Sequence, residues 1–236
     1  MNLLLIRHGQ STNNLLYAQT GASVGRSPDP PLTELGHAQA QALAEFAAHD
    51  QTLSRLTHLY SSLTTRAVQT AAPLARTLGL SVQGLTHAHE TQGLFEHDEA
   101  GVKRSVVGRT HADLQRDCPA LLWPADLPGD QGWPGGFEPD DHAAFSTRAR
   151  AVVDALLDAH GPDDRVGLVT HGNFTQFLLQ ELLGRPGGYF MTFNTATTCL
   201  TLMDGLQTTD AEVQNLTWLV RWVNRFDHLT PEQVSE

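Results

Sequence analysis

Two short runs of consecutive apolar residues, at positions 3–6 and 166–169, limit most strongly what this chain can fold into. Neither run alternates between apolar and polar residues, so both predict strands that are covered on both faces of a sheet. Similar runs at 56–60 and 199–203 predict two further strands. Strands of this kind are typical of parallel sheets with helices packed on each side.

Helical patterns separate these runs. Apolar residues recur with a period near 3.6 in three segments, at 33–49, 65–78 and 140–160. A fourth segment, at 173–183, is apolar almost all round, which predicts a buried helix. The second and fourth segments are followed by Gly79 and Gly184, and glycine is the usual residue just beyond a helix. Strands that alternate with helices predict an α/β fold in which three layers, α/β/α, enclose a mostly parallel central sheet.

One segment interrupts this alternation. Residues 119–136 contain four Pro, four Gly, Trp123 and Trp133. The segment is too long and too rich in turn-forming residues for an ordinary connection, which favours an ordered excursion or lid. The chain of 236 residues has no internal repeat. We therefore expect a single domain over residues 1–236 with an inserted cap at about 91–138.

The charge and cysteine content exclude several classes of protein. The net charge is −11 at pH 7. Because such an acidic surface repels phosphate groups, we expect neither nucleic acid nor a membrane as a partner. Cys118 and Cys199 are too few for a disulfide framework or a four-ligand zinc site. The run at 3–6 is too short for a signal peptide, and no stretch reaches the ~18 apolar residues of a membrane span. We expect a cytoplasmic protein, and the sequence does not indicate its oligomeric state.

The same dipeptide, His-Gly, follows both buried strands. The chain continues as Arg7-His8-Gly9 after the first strand and as Thr170-His171-Gly172 after the second. Ligands of open parallel sheets bind beyond the carboxyl ends of the strands. The spacing therefore predicts that His8 and His171 share one rim of the sheet. Glycine allows a close backbone approach to a ligand, and a helix that begins at Asn173 directs free N–H groups toward an anion.

Two further charged residues follow other predicted strands. A Ser/Thr cluster at 61–65 is suited to cap a helix, and Arg66 falls in the first turn of that helix. A positive charge there is opposed by the helix dipole, which suggests a nearby anion. Glu90 follows the run at 81–85 and is suited to donate and accept protons.

A metal site is an alternative for the histidines of this region. His87 and His89 would lie on the same face of a strand, as metal ligands do. With His97 as the next histidine, no third and fourth ligands follow at a recognised spacing. We therefore expect no metal site and no cofactor.

Together these motifs resemble the histidine phosphatase superfamily, which has the phosphoglycerate mutase-like fold. They occur in the family's order across nearly the whole chain, as Arg7-His8-Gly9-Gln10-Ser11, Asn14, Ser61-Ser62, Arg66-Ala67, Gln69-Thr70-Ala71, Glu90, Gly93, His171-Gly172-Asn173 and Asn194-Thr195-Ala196. The resemblance implies that His8 is the nucleophile and becomes phosphohistidine. It also implies that Arg7, Arg66 and His171 bind the phosphoryl oxygens and that Glu90 transfers the proton. It places five further residues at the phosphate or substrate pocket, namely Asn14, Thr20, Gly21, Gly172 and Asn173.

The pattern favours a metal-independent phosphatase that acts on small phosphorylated metabolites. The alternative is a cofactor-dependent phosphoglycerate mutase, but such mutases carry a patterned basic segment that the residues after Gly93 do not match. Three acidic residues follow Glu90 instead, namely Glu96, Asp98 and Glu99. They would repel a doubly anionic sugar acid if they faced the pocket. A non-catalytic phospholigand-binding module is disfavoured, because it would normally have lost the nucleophile or the acid.

Overall fold

The computed structural model describes residues 1–184, 197–203 and 217–235. Its strands are β1 (Asn2–Arg7), β2 (His58–Ser62), β3 (Val82–Leu85), β4 (Phe95–His97), β5 (Lys103–Ser105), β6 (Leu121–Leu122), β7 (Arg165–Thr170), β8 (Thr197–Met203) and β9 (Thr217–Arg225). Its α-helices are α1 (Thr12–Thr20), α2 (Glu34–Ala47), α3 (Thr65–Leu78), α4 (His111–Asp117), α5 (His142–Ala159) and α6 (Gly172–Leu183). The Asn194-Thr195-Ala196 motif lies outside the described residues.

Seven of these strands form the central sheet, in the order β6-β3-β2-β7-β1-β8-β9. The strands from β6 to β1 pair in parallel, whereas β8 pairs antiparallel with β1, and β9 pairs antiparallel with β8. The prediction of a mostly parallel sheet is confirmed. β4 and β5 form a separate antiparallel pair.

The side chains of β1 alternate between two hydrophobic cores. Leu4 and Ile6 pack on the side of α2 and α3, and Leu3 and Leu5 pack on the side of α5 and α6. All four side chains are buried, and burial of each contributes on the order of 2 kcal/mol to folding. The unbroken apolar run of β1 therefore corresponds to a strand between two helical layers, as predicted.

The helices begin and end close to the predicted residues. α3 has the predicted bounds, and Gly79 follows it with a φ of 67° in the left-handed region that glycine favours. α2 is shorter than predicted, because Thr33 is its N-cap and accepts a hydrogen bond from the Gly36 N–H. No helix in the described ranges is both long and apolar enough to cross a membrane.

The second half of the predicted cap packs into the central core. β6 extends the central sheet beside β3, and Trp133 is fully buried in the core that also contains side chains of α3. A Cβ atom on Gly108 would overlap the Trp133 indole ring, so this packing requires a glycine there. Trp123 stacks on His111 and donates its Nε1–H to the Leu127 carbonyl at 3.1 Å. Both tryptophans thus hold the irregular segment on the core.

Replacement of Trp133 by Ala is expected to lower the free energy of unfolding by about 3–5 kcal/mol, because it leaves a large cavity in a packed core. Trp123→Ala, at a partly exposed position, should cost less. Urea denaturation of both variants measures this difference. A Trp133→Ala protein with unchanged stability would show that the indole ring has no packing role.

Candidate active site

The pairing of β1 with β7 sets the position of two histidines. Arg7 lies opposite Thr170 in the parallel register, and the His8 N–H donates to the Thr170 carbonyl at 3.0 Å. His8 and His171 each follow directly after a strand end. Their ring centroids lie 5.0 Å apart, and both side chains are buried. The two imidazoles therefore lie side by side at one rim of the sheet.

The hydrogen bonds of His8 define which ring nitrogen is free to act as a base or nucleophile. Nδ1 lies 2.6 Å from the carbonyl oxygen of Gly9, so it carries the proton. Nε2 lies 3.1 Å from Nε of Arg66, which can only donate, so Nε2 is the acceptor. The lone pair of Nε2 is therefore directed toward the Arg66 guanidinium.

Gly9 is required by the packing of α2. A Cβ atom on Gly9 would lie 2.6 Å from the carbonyl oxygen of Gly36, in the first turn of α2. The Gly9 N–H donates to the Thr70 hydroxyl at 3.0 Å. Gly9 therefore permits a close contact between two backbones, and its approach to a ligand stays a prediction.

Asp29 positions Arg66 and caps α3. Its carboxylate accepts hydrogen bonds from the N–H of Thr65 at 3.0 Å and from the hydroxyl of Thr65 at 2.7 Å. Nη1 of Arg66 lies 3.9 Å from Asp29 Oδ1, within ion-pair range. Among the described residues, this buried Nη1 makes no hydrogen bond. No local pattern in the sequence predicts this role of Asp29, because the helix that it caps begins 36 residues further on.

The predicted Ser/Thr cap serves His171 instead. Thr64 is the N-cap residue of α3, but its side chain makes no capping hydrogen bond. Nε2 of His171 lies 3.0 Å from the Ser62 hydroxyl and 3.3 Å from the Thr64 hydroxyl. Nδ1 of His171 is buried and has no hydrogen-bond partner among the described residues. Two polar atoms near His8, on Arg66 and His171, are thus available to a ligand.

Glu90 lies against the N-terminus of α6. Its Oε1 accepts hydrogen bonds from the N–H groups of Thr91 and Phe174, both at 2.9 Å, and its Oε2 accepts a longer one of 3.3 Å from the Asn173 N–H. The N-terminus of α6 was expected to present its N–H groups to a ligand anion. Two of those N–H groups bind the Glu90 carboxylate instead.

Four arginines interact electrostatically with Glu90. Burial lowers the pKa of each guanidinium, and the negative charge of Glu90 raises it, at Arg7, Arg26, Arg66 and Arg148. Burial, followed by the charge of Arg66, holds the pKa of both His8 and His171 well below the usual value. Both imidazoles are therefore neutral at pH 7, in a site whose field is strongly positive.

Arg148 in α5 fixes the segment that precedes Glu90. Its Nη1 donates to the carbonyls of His87 and His89 at 2.7 and 2.8 Å, and its Nε donates to Glu138 at 3.1 Å. Its guanidinium also lies over the Phe174 ring, 4.0 Å from the centroid. Arg148 thus joins α5, α6 and the Glu90 segment, a role that its sequence neighbours do not indicate.

Arg26 is a further residue that the sequence analysis missed. It interacts electrostatically with both Glu90 and Arg66, and its guanidinium lies 4.1 Å from the centroid of the Phe95 ring. It lines a cavity of about 550 Å³ between residues 23–28 and the β4 strand. Lys103 also lies over Phe95, at 4.6 Å. Positive charge therefore reaches from the histidine pair toward the cap.

The acidic residues of the cap are arranged differently from the expectation. Asp98 accepts hydrogen bonds from the N–H groups of Ala100 and Val102 and pairs with Arg104 at 2.9 Å, so it belongs to the β4–β5 turn. Glu96 lines the cavity beside Arg26. Of the three cap carboxylates that were expected to repel an anionic substrate, Glu96 is the one that lines this cavity.

Three of the residues predicted at the pocket, Asn14, Thr20 and Gly21, make their hydrogen bonds within or at the ends of α1. Oδ1 of Asn14 accepts from the Ser11 N–H and hydroxyl at 3.0 and 2.6 Å, which closes a capping box at α1. Thr20 and Gly21 are exposed at the C-terminus of α1, where the Thr20 hydroxyl donates to the Leu16 carbonyl at 2.7 Å. The hydroxyl is thus used at a helix end and Gly21 supplies the left-handed cap, and the pocket role of both residues stays a prediction.

Gly172 and Asn173, also predicted at the pocket, lie next to two of the predicted site residues, Arg7 and Glu90. A Cβ atom on Gly172 would lie 3.4 Å from Nε of Arg7, so the Arg7 guanidinium packs over the start of α6. Asn173 is exposed and is tied to Glu90 by its backbone N–H. Both residues thus lie between Arg7 and Glu90.

The family model of the histidine phosphatase superfamily (branch 1) matches residues 3–219. The match covers most of the chain, and the chain belongs to this superfamily.

Individual relatives agree with this membership. The chain is 26% identical over 209 residues to "Phosphoglycerate mutase-like protein 4" of Arabidopsis thaliana, which covers 86% of this chain and 80% of that protein. The solved structure of "Mycobacterial hydrolase 2" is 25% identical, with a TM-score of 0.61 and coverage of 98% of this chain and 93% of the other. A phosphoserine phosphatase from Entamoeba histolytica is 22% identical, with a TM-score of 0.61 and coverage of 97% and 99%, and shares the fold.

The buried neutral histidines predict a pH-dependent stability. The unfolded chain takes up protons on histidine below about pH 6.5, whereas burial lowers the pKa of His89 to about 3 and those of His8 and His171 well below 6.5. The free energy of unfolding should therefore fall as the pH is lowered from 7 to 5, by about 2 kcal/mol from His89 alone.

Urea denaturation at both pH values measures this loss, and the His89→Gln variant should lose less stability between pH 7 and pH 5 than the parent protein. Equal stability of the parent protein at the two pH values would contradict the assignment of neutral, buried imidazoles.

Proposed function

We propose that this protein is a phosphatase that hydrolyses phosphomonoesters of small metabolites in the cytoplasm through a phosphohistidine on His8. The observation that carries the proposal is the state of His8, whose Nδ1–H is held by the Gly9 carbonyl while Nε2 keeps its lone pair beside Arg66. A neutral imidazole with one fixed proton is a competent nucleophile toward phosphorus. Family membership supports phosphoryl chemistry at this site.

The positive charges around His8 suit a phosphoryl group in transfer. Negative charge spreads over the three equatorial oxygens in the transition state, and fixed cationic donors stabilise it. In this proposal, Arg66 moves its hydrogen bond from His8 to a phosphoryl oxygen as the substrate binds. Arg7 and His171 bind the remaining oxygens, and no metal ion takes part. The unpartnered atoms on Arg66 and His171 are the donors available for this role.

Glu90 is proposed to transfer the proton. It has to protonate the leaving alkoxide when His8 is phosphorylated and then remove a proton from the attacking water. Its Oε1 is held by two short hydrogen bonds, whereas its Oε2 has a single longer one to Asn173. Oε2 is therefore the oxygen better placed to exchange the proton.

A mutase is the second candidate function, and it is favoured by the positions of two cations, Arg26 and Lys103. Both cations lie over Phe95 on the cap side, where they could attract the carboxylate of a sugar acid. We still place hydrolysis first, because water needs no recognition to accept the phosphoryl group. A mutase would have to keep water away from phosphohistidine.

The intermediate can be tested by acid-free denaturation of the enzyme during turnover of a ³²P-labelled phosphomonoester. The protein should carry acid-labile label, and His8→Ala should abolish it, whereas His97→Ala, at an exposed position, should retain it. Label that persists in His8→Ala and disappears in His171→Ala would reverse the roles of the two histidines.

The proton-transfer role predicts a second result. Glu90→Gln should slow phosphate release from alkyl phosphates by roughly 10²–10⁴-fold, and less from p-nitrophenyl phosphate, because nitrophenolate leaves without protonation. Glu99→Gln, an exposed carboxylate of the cap, is the matched control and should retain the parent rate. An equal loss with both substrates would contradict the general-acid role.

The same assays separate the phosphatase from the mutase. The protein should release inorganic phosphate from p-nitrophenyl phosphate without any added cofactor. Rapid interconversion of 3- and 2-phosphoglycerate, stimulated by bisphosphoglycerate and with negligible phosphate release, would favour the mutase instead.

A further inference from the structure

A second cluster of titratable side chains lies at the opposite end of the central sheet. His58 is the first residue of β2, His160 follows α5, and Asp164 directly precedes β7. β2 and β7 are parallel neighbours, with His58 opposite Val166. The cluster is therefore at the amino ends of the strands, whereas His8 and His171 follow their carboxyl ends. The six residues of β7 separate the two sites by roughly 20 Å.

The three side chains converge with a spacing close to that of metal ligands. Asp164 Oδ1 lies 3.8 Å from Nδ1 of His58, and Asp164 Oδ2 lies 3.3 Å from Nδ1 of His160. One donor atom from each residue lies within 4.8 Å of the other two. Two ligands of a tetrahedral zinc ion are about 3.3 Å apart, given metal–ligand distances near 2.0 Å. The observed separations of 3.8 and 3.3 Å from Asp164 are near this value.

The surroundings orient the ligands. Nε2 of His160 lies 2.9 Å from the Tyr60 hydroxyl, which leaves Nδ1 directed toward Asp164. An outer partner on the second ring nitrogen is characteristic of metal-binding histidines. The Gly161 N–H donates to Asp164 at 2.9 Å and holds the carboxylate in place. His160 is 3% exposed, whereas His58 and Asp164 are 34% and 31% exposed, so an ion can enter from solvent.

Metal binding needs an unprotonated nitrogen on each imidazole. On His58 this nitrogen is Nδ1, and a bound ion would replace its 2.8 Å contact with the Thr57 hydroxyl. The N-terminal ammonium group is the nearby opposing charge.

We propose that His58, His160 and Asp164 form a binding site for Zn²⁺ or a similar divalent transition-metal ion, separate from the phosphoryl site. Two imidazoles and one carboxylate select such an ion over Mg²⁺ or Ca²⁺, which prefer oxygen ligands. Water would complete the coordination. The ion would join the start of β2 to the connection between α5 and β7, so its role is to stabilise the fold.

The test uses the full chain after treatment with EDTA and dialysis. Titration with ZnCl₂ in a calorimeter should show a site that His58→Ala and Asp164→Asn each weaken at least tenfold, while His49→Ala, an exposed histidine, retains it. Zn²⁺ should raise the melting temperature of the parent protein more than that of His58→Ala. Co²⁺ should give a visible absorption band that His58→Ala loses.

His58→Ala should leave phosphate release unchanged, because His58 is remote from His8. Circular dichroism of both ligand variants establishes that they are folded. The proposal is overturned if the parent protein does not bind Zn²⁺, or if both folded variants bind it with the parent stoichiometry and affinity.

Discussion

The parallel pairing of β1 with β7 is the contact on which the candidate active site depends. It joins residues that are more than 160 positions apart in the chain, and its last pair is Arg7 with Thr170. Because each strand is followed at once by a histidine, this one register places His8 and His171 with ring centroids 5.0 Å apart. A shift by one residue would turn one of the rings to the other face of the sheet. The two cores that bury β1 fix the register.

The electrostatics of the site follow from this burial. Two buried imidazoles beside Arg66 cannot be protonated easily, so they remain neutral and can bind or attack a phosphoryl group. The guanidiniums remain charged, and Asp29 and Glu90 offset only part of that charge. Both carboxylates also accept backbone N–H groups at the start of a helix, Asp29 at α3 and Glu90 at α6. The same acids thus stabilise the helices and orient the arginines.

The sequence predicted the parts of this structure that local patterns encode. The apolar runs of β1 and β7 and the bounds of α3 follow from periodicity and from Gly79, because strand burial and helix ends depend on neighbouring residues. Asp29, Arg26 and Arg148 were missed because each acts through contacts between distant segments. Thr20 and Gly21 lie at the end of α1, and their assignment to the pocket came from the family resemblance alone, so it stays a prediction.

The cap shows how a structure changes an electrostatic interpretation made from sequence. A run of acids after Glu90 suggested a field that repels anionic substrates. In the fold, Asp98 closes the β4–β5 turn, while Arg26 and Lys103 approach Phe95 from two segments. The charge near the cavity is therefore mixed, with Glu96 and Arg26 both in its lining. The electrostatic interaction between two charges near the protein surface weakens steeply with distance, because water and salt screen it. In the proposed phosphatase, the choice of substrate therefore depends on the position of each charge relative to the phosphoryl group. Arg26, which interacts with both Glu90 and Arg66, is the cap-side cation through which such a choice can act directly on the reacting centre.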